Sequence, residues 1–188
     1  MKSYIMLLLS FLMLSAFSKL AYRTINLEIK DKSKISIQGT SNVNSFECFY
    51  ENHIELKNKR IELLANNNNF KLENAMLHIK ANAFDCGGKR INSDFKNLLK
   101  TEQFPQINIK VKSITQQQNT YFANVDVEIA GQTKAYQFKV LSPDQFHYTS
   151  DLIINISDFE LESPKKLMGL IKVDELIDIN FDLFVSLN

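Results

Sequence analysis

Ile177-Asp178-Ile179-Asn180-Phe181-Asp182-Leu183-Phe184-Val185-Ser186-Leu187 alternates apolar and polar side chains almost without a break. Successive side chains of a strand point to opposite faces. Ile177, Ile179, Phe181, Leu183, Val185 and Leu187 therefore share a dry face, and Asp178, Asn180, Asp182 and Ser186 a wet one that only Phe184 interrupts. A period of two sustained this far reads as a strand of an antiparallel sheet with one face in water.

The same period recurs upstream. In 121–129, Val125, Val127 and Ile129 alternate with Asn124, Asp126 and Glu128. Gly131-Gln132 then reads as a tight connection, and 133–141 returns with Tyr136, Phe138 and Val140 on one side, which makes a hairpin. Further strands are expected at 24–29, 34–38, 45–50, 70–84 with a turn at Glu73-Asn74, 107–114 and 146–156, separated by turn-forming groups such as Asp31-Lys32, Asn66 to Asn69 and Ser142-Pro143-Asp144. Helical spacing appears twice. In 89–100 Ile91, Phe95, Leu98 and Leu99 recur on one side before Phe104-Pro105 restores extended chain, and 164–171 places Leu167, Met168 and Ile171 together behind Pro164. No long βαβ unit is present. About eight antiparallel strands in one domain must form a sandwich or a closed barrel, because an open sheet would leave long edges and a bare apolar face.

The chain opens with one positive charge, Lys2, followed by the apolar run Ile5 to Leu14 and a segment with small residues that ends at Ala21, after which cleavage is expected. Residues 1–21 thus read as a secretory signal peptide and 22–188 as one mature domain; the alternative is a retained membrane anchor, for which the apolar run is short. No cysteine lies near the cleavage point to carry a lipid. Without Lys2 and Lys19 the 22 basic residues fall to 20 against 21 acidic ones, so nothing advertises nucleic acid or a strongly charged membrane surface. Two cysteines, Cys48 and Cys86, in an oxidising compartment favour one disulfide; the alternative is two separate buried thiols.

Motifs for catalysis are missing: there is no Gly-x-Ser-x-Gly elbow, no phosphate-binding glycine loop and no His-Glu-x-x-His helix. His53, His78 and His147 are isolated and lack zinc-site spacing. His78 falls on the polar face of its strand. Asp174, Glu175, Asp178 and Asp182 read as a solvated face, and no cofactor or metal is expected.

Several segments together resemble the YceI-like family of exported, lipocalin-like domains. They are Gly39-Thr40-Ser41-Asn42-Val43-Asn44-Ser45-Phe46, then Arg90-Ile91-Asn92-Ser93-Asp94-Phe95-Lys96 followed by Lys100 and Phe104-Pro105-Gln106-Ile107, then Gly131-Gln132-Thr133, then Ser157-Asp158-Phe159 and Val173-Asp174-Glu175-Leu176-Ile177-Asp178-Ile179. Their order and spacing, not any one of them, carry the resemblance. It implies an all-β fold with a short inserted helix: an antiparallel up-and-down barrel of about eight strands with an elongated cavity for a polyisoprenoid or other amphiphilic lipid. Cys48 and Cys86 depart from the simplest form of the family.

On that reading the inward residues form the ligand site: Leu77, Ile79, Ala81, Ala83, Ile107, Ile109, Val111, Val125, Val127, Phe138, Leu152, Ile154, Ile179, Phe181 and Leu183. The two alanines would leave room for the chain of an isoprenoid quinone or polyprenyl lipid, or would merely fit a tapering core. A barrel of this size holds either side chains or one slender ligand. An exported lipid carrier therefore competes with a side-chain-filled barrel acting as an adaptor. The helix near 89–100 is expected to cover one barrel opening. No permanent membrane span is expected after signal cleavage, and the oligomeric state stays open, a homodimer included.

Overall fold

The structure is a computed structural model, and it describes residues 22–118, 120–163, 165–166 and 171–187. The proposed signal peptide lies outside the described residues. In chain order the elements are β1 (Arg23–Ile29), β2 (Lys34–Ser41), β3 (Ser45–Tyr50), β4 (Glu55–Leu56), β5 (Arg60–Asn66), β6 (Asn69–Glu73), β7 (Met76–Lys80), a 3-10 turn (Ala81–Ala83), β8 (Phe84–Asp85) and helix α1 (Lys89–Leu98). There follow β9 (Gln106–Gln117), β10 (Thr120–Ile129), β11 (Gln132–Asp144), β12 (His147–Asn155), a 3-10 turn (Ile156–Phe159), β13 (Lys165–Lys166) and β14 (Ile171–Leu187).

All pairings are antiparallel, and the order β1-β5-β6-β9-β10-β11-β12-β14 closes on itself where Leu27, Glu28 and Ile29 pair with Leu187, Ser186 and Val185. This ring of eight strands is the barrel. β14 is long enough to serve two partners along one edge: its last residues pair with β1, and 173–182 pair with β2. β1 and β2 are thus one strand direction broken at the Asp31-Lys32 bend. β6 and β7 likewise share β9, broken at Asn74, whose φ is 64°. Asparagine tolerates this left-handed conformation better than most residues. At such breaks the inward phase shifts. Phe70 and Leu72 point inward before the break, Ala75 and Leu77 after it.

The two ends of the barrel differ. One end carries the tips of the β5–β6, β9–β10 and β11–β12 hairpins. The other carries the β10–β11 turn at Ala130-Gly131, the start of β9 and α1. The β10–β11 register pairs Ile129 with Gln132, so the connection is Ala130-Gly131 rather than Gly131-Gln132; both have positive φ, as a two-residue hairpin with right-handed strand twist requires. Around α1 the interior is packed solid. Phe95 lies 5.4 Å from Phe84, whose ring is 5.2 Å from Tyr50, and Leu99 and Ala81 are buried beside them. The Cys48–Cys86 disulfide ties fully buried Cys48 of β3 to the segment ahead of α1.

Two sequence expectations are corrected here. Ala81 and Ala83 do not continue β7; they form a 3-10 turn, with the Ala81 N–H donating to the Pro105 carbonyl at 2.9 Å. After Lys80 the chain must leave its partner β9 and cross to β3, which β8 joins, and small residues allow that step. The helix expected at 164–171 is also contradicted at the described positions: Lys165 and Lys166 pair antiparallel with Lys172 and Ile171. Interstrand ladder bonds hold this segment in place of helical ones; residues 164 and 167–170 lie outside the described residues. The helix at 89–100 is present as Lys89–Leu98, ending at Leu99 before Lys100 turns left-handed with φ 51°.

Candidate functional site

The barrel is filled at the α1 end and hollow at the hairpin end. The hollow has a volume of about 350 Å³, at the lower end of the size of small-molecule sites. Its wall runs around the ring: Ile25, Leu27 and Ile29 of β1, Leu56 of β4, Ile61 and Leu63 of β5, Phe70 and Leu72 of β6, and Ala75 and Leu77 at β7. The circuit continues with Ile109, Val111 and Ile114 of β9, Tyr121 and Ala123 of β10, Phe138 and Val140 of β11, Tyr148 and Ser150 of β12, and Phe181, Leu183, Val185 and Leu187 of β14. No lysine, arginine, histidine, aspartate or glutamate is among them.

Phe138 and Phe181 mark the change from hollow to solid. Their rings stack 6.2 Å apart with planes only 8° from parallel. Beyond them Val125 and Val127 are fully buried, and Ile35, Ile79, Ile107, Leu152, Ile154 and Ile179 complete a close-packed core. Phe159 of the second 3-10 turn closes that core under Tyr136, ring to ring at 6.2 Å.

The expected site residues accordingly divide in two. Leu77, Ile109, Val111, Phe138, Phe181 and Leu183 line the hollow. Ile79, Ala81, Ile107, Val125, Val127, Leu152, Ile154 and Ile179 lie in the packed core instead, and Ala83 in the 3-10 turn is half-buried away from the hollow. Helix α1 closes the filled end, so it stands at the opposite end from the cavity.

Residues that strict alternation overlooked supply most of the wall. Ile114 escaped because β9 changes phase: its register against β10 shifts between Asn124 and Val125, so Val111 and Ile114 both face inward three positions apart. Ile61 and Leu63 belong to β5, whose Arg-Ile-Glu-Leu-Leu-Ala-Asn run loses its alternation at Leu64.

The polar candidates lie on the outer surface. His78 is half-buried and its Nδ1 is 2.5 Å from Asn108 Oδ1, which fits its place on the polar face. His147 stacks on Phe184 at 4.0 Å and meets Asp182 at 2.6 Å, while Lys32 sits 3.5 Å over the same Phe184 ring. Asp174 accepts from Thr40 Oγ1 at 2.6 Å. Among the described residues no group of three or more His, Cys, Asp or Glu side chains could hold a metal ion, and no helix is long and apolar enough to cross a membrane.

A closed eight-stranded antiparallel barrel, with one end plugged and an apolar hollow at the other, defines a lipocalin-like domain. The chain belongs to the YceI-like domain family, whose model matches residues 28–185. Among solved structures it is similar to Burkholderia cenocepacia BcnA, at 19% identity and a TM-score of 0.62, over 85% of this chain and 99% of that one. A polyisoprenoid binding domain from Saccharophagus degradans implicated in plant cell wall breakdown matches at 11% identity and a TM-score of 0.56, over 87% and 99% of the two chains. The Campylobacter jejuni YCEI protein matches at 13% identity and a TM-score of 0.53, over 72% and 84%. No curated protein matches the sequence.

Proposed function

We propose that this is an exported lipid-binding protein that holds the chain of a polyisoprenoid or similar long apolar molecule in the hairpin half of its barrel, as carrier or store, without catalysing a reaction on it. The observation that carries the reading is the wall itself, aliphatic and aromatic nearly throughout and free of charged side chains. Sealed and dry, a hollow of about 350 Å³ would cost on the order of 8 kcal/mol at roughly 24 cal/mol per Å³. Flooded, the same wall stays hydrated. An apolar guest relieves either penalty, with the hydrophobic effect and dispersion as the driving forces.

Family membership and the polyisoprenoid binding domain among the structural neighbours support this ligand class. Export is supported by the leader-like residues 1–21 and by the disulfide, which persists in oxidising compartments. The route inward is the hairpin end, where Leu187 both lines the hollow and is 46% exposed, and where Phe146 at the β11–β12 tip is exposed as well.

Native mass spectrometry of the mature protein, purified without detergent and measured again after organic extraction, tests the proposal. A bound mass that extraction removes, and that added polyprenyl lipid restores, is the expected result. A ligand-free protein that takes up no lipid would favour the adaptor role.

A further inference from the structure

Three side chains in the wall of the hollow carry polar atoms: Tyr121, Tyr148 and Ser150. They are grouped. The register runs Tyr121 to Val140 to Ser150 to Phe181 across four neighbouring strands, and Tyr148 sits two residues from Ser150 on the same face of β12. The other wall residues are aliphatic or phenylalanine.

We propose that Tyr121, Tyr148 and Ser150 form a head-group subsite that receives an uncharged, hydrogen-bonding oxygen of the lipid, a carbonyl or an alcohol, and discriminates against phosphate and carboxylate heads. This rests on the lipid-cavity reading above and specifies the head group that the cavity accepts. The hydroxyls of these three residues donate to and accept from no protein group among the described residues, although they line an apolar wall. These half-buried hydroxyls are open to a ligand oxygen, and a lipid that displaces their water must supply such a partner or leave them unsatisfied at a cost in free energy. Burial raises the Tyr148 phenol pKa, and the nearby Tyr121 adds to the shift, so the Tyr148 phenol stays protonated and able to donate. An anionic head would find hydroxyl donors but no countercharge, because no lysine, arginine or histidine lines the hollow. The subsite is on the hairpin side of the Phe138–Phe181 stack, so a head placed there leaves the tail to lie along β1, β5 and β6.

The test uses three probes with one carbon skeleton, farnesol, farnesyl phosphate and farnesane, each presented from the same detergent micelles so that transfer from water cancels. Wild-type mature protein is compared with the triple variant Tyr121→Phe, Tyr148→Phe, Ser150→Ala, which keeps the apolar shape of the wall. Uptake is read by displacement of a fluorescent naphthylamine, and melting temperature checks the fold. The expected result is a loss of about tenfold in farnesol affinity in the variant, with farnesane changed by less than about twofold, and farnesyl phosphate at least about tenfold weaker than farnesol in the wild type. An equal effect on farnesol and farnesane, or phosphate bound as well as the alcohol, would overturn the subsite while leaving the lipid cavity intact. Uptake of none of the three would overturn both. Should the triple variant fail to fold, Tyr148→Phe alone carries the same comparison, with an expected loss of about threefold for farnesol only.

Discussion

Phe138 of β11 and Phe181 of β14, on either side of β12 in the same wall, stack nearly parallel at 6.2 Å, and this contact marks where the packed half of the barrel meets the hollow one. Toward α1 every inward residue meets another. Toward the hairpin tips the inward residues face open space. Phe181 is 6% exposed, and its replacement by alanine is expected to cost about 3 kcal/mol and to deepen the hollow. Urea denaturation should show that loss. A bound apolar lipid should recover part of it, since the enlarged hollow gives the lipid more wall to touch.

Two alanines at opposite ends of the barrel are expected to behave oppositely. Ala81 is 1% exposed within the packed end and its backbone is held in a 3-10 turn, so Ala81→Phe overpacks a full core and should lower the melting temperature sharply or prevent folding. Ala123 lines the hollow beside Phe138, and Ala123→Phe should fold and fill the space. Circular dichroism melts of the two variants check this.

The Cys48–Cys86 bridge closes a span of 38 residues, for which the chain-entropy model gives about 4 kcal/mol. The double replacement Cys48→Ala, Cys86→Ala should approach that loss in chemical denaturation. Thiol titration of unfolded, unreduced protein should find no free thiol.

Gly131 has φ +80°, and a Cβ there would stand 2.7 Å from the Phe104 ring. Gly131→Ala should cost about 1–2 kcal/mol, from backbone strain and from displacing Phe104. A shift in the urea midpoint with an unchanged slope would show it.

Asp85 and Asp178 should shape acid stability with opposite signs. The Asp85 carboxylate accepts from Asn92 Nδ2 at 2.8 Å and from the Gly87 N–H at 3.0 Å, which hold its pKa below the ordinary 3.8. Its stabilising contribution is present above 3.8 and is lost as pH falls through the lower folded value. Asp178 is pushed above 3.8 by burial and by Asp151, so its penalty is present at neutral pH and vanishes as pH falls through the raised value toward 3.8. Asp85→Asn should therefore be destabilising at pH 7 and harmless in strong acid. Asp178→Asn should be stabilising at pH 7, with a gain that fades on acidification. Melting curves across that range distinguish the two.

Much of the barrel was legible because water contacts one face of each strand. The dry side of β14, from Ile177 to Leu187, and the β10–β11 hairpin could be read directly from their period of two. Strand interruptions were not legible in the same way. The turn at Glu73-Asn74 could be read from its residues, but the change of inward phase after it and the shift in β9 leave no mark in composition, so Ala75 and Ile114 escaped notice. Ala81 and Ala83 keep the alternation of β7 in sequence, but the chain there must cross to another strand. Alternation also cannot distinguish an inward residue that meets a partner from one that faces a void: Val127 and Val111 look alike in the sequence, yet one is core and the other wall.

The hairpin half of the barrel is hollow and, as proposed, takes an apolar guest. Fluorescence titration of a naphthylamine probe into wild-type mature protein, Ala123→Phe and Val140→Phe tests it most directly. The expected result is saturable binding of one probe per wild-type chain, abolished in both variants while their folded spectra and cooperative melts persist. Binding retained at wild-type strength in both well-folded variants, or no binding by the wild type, would contradict it.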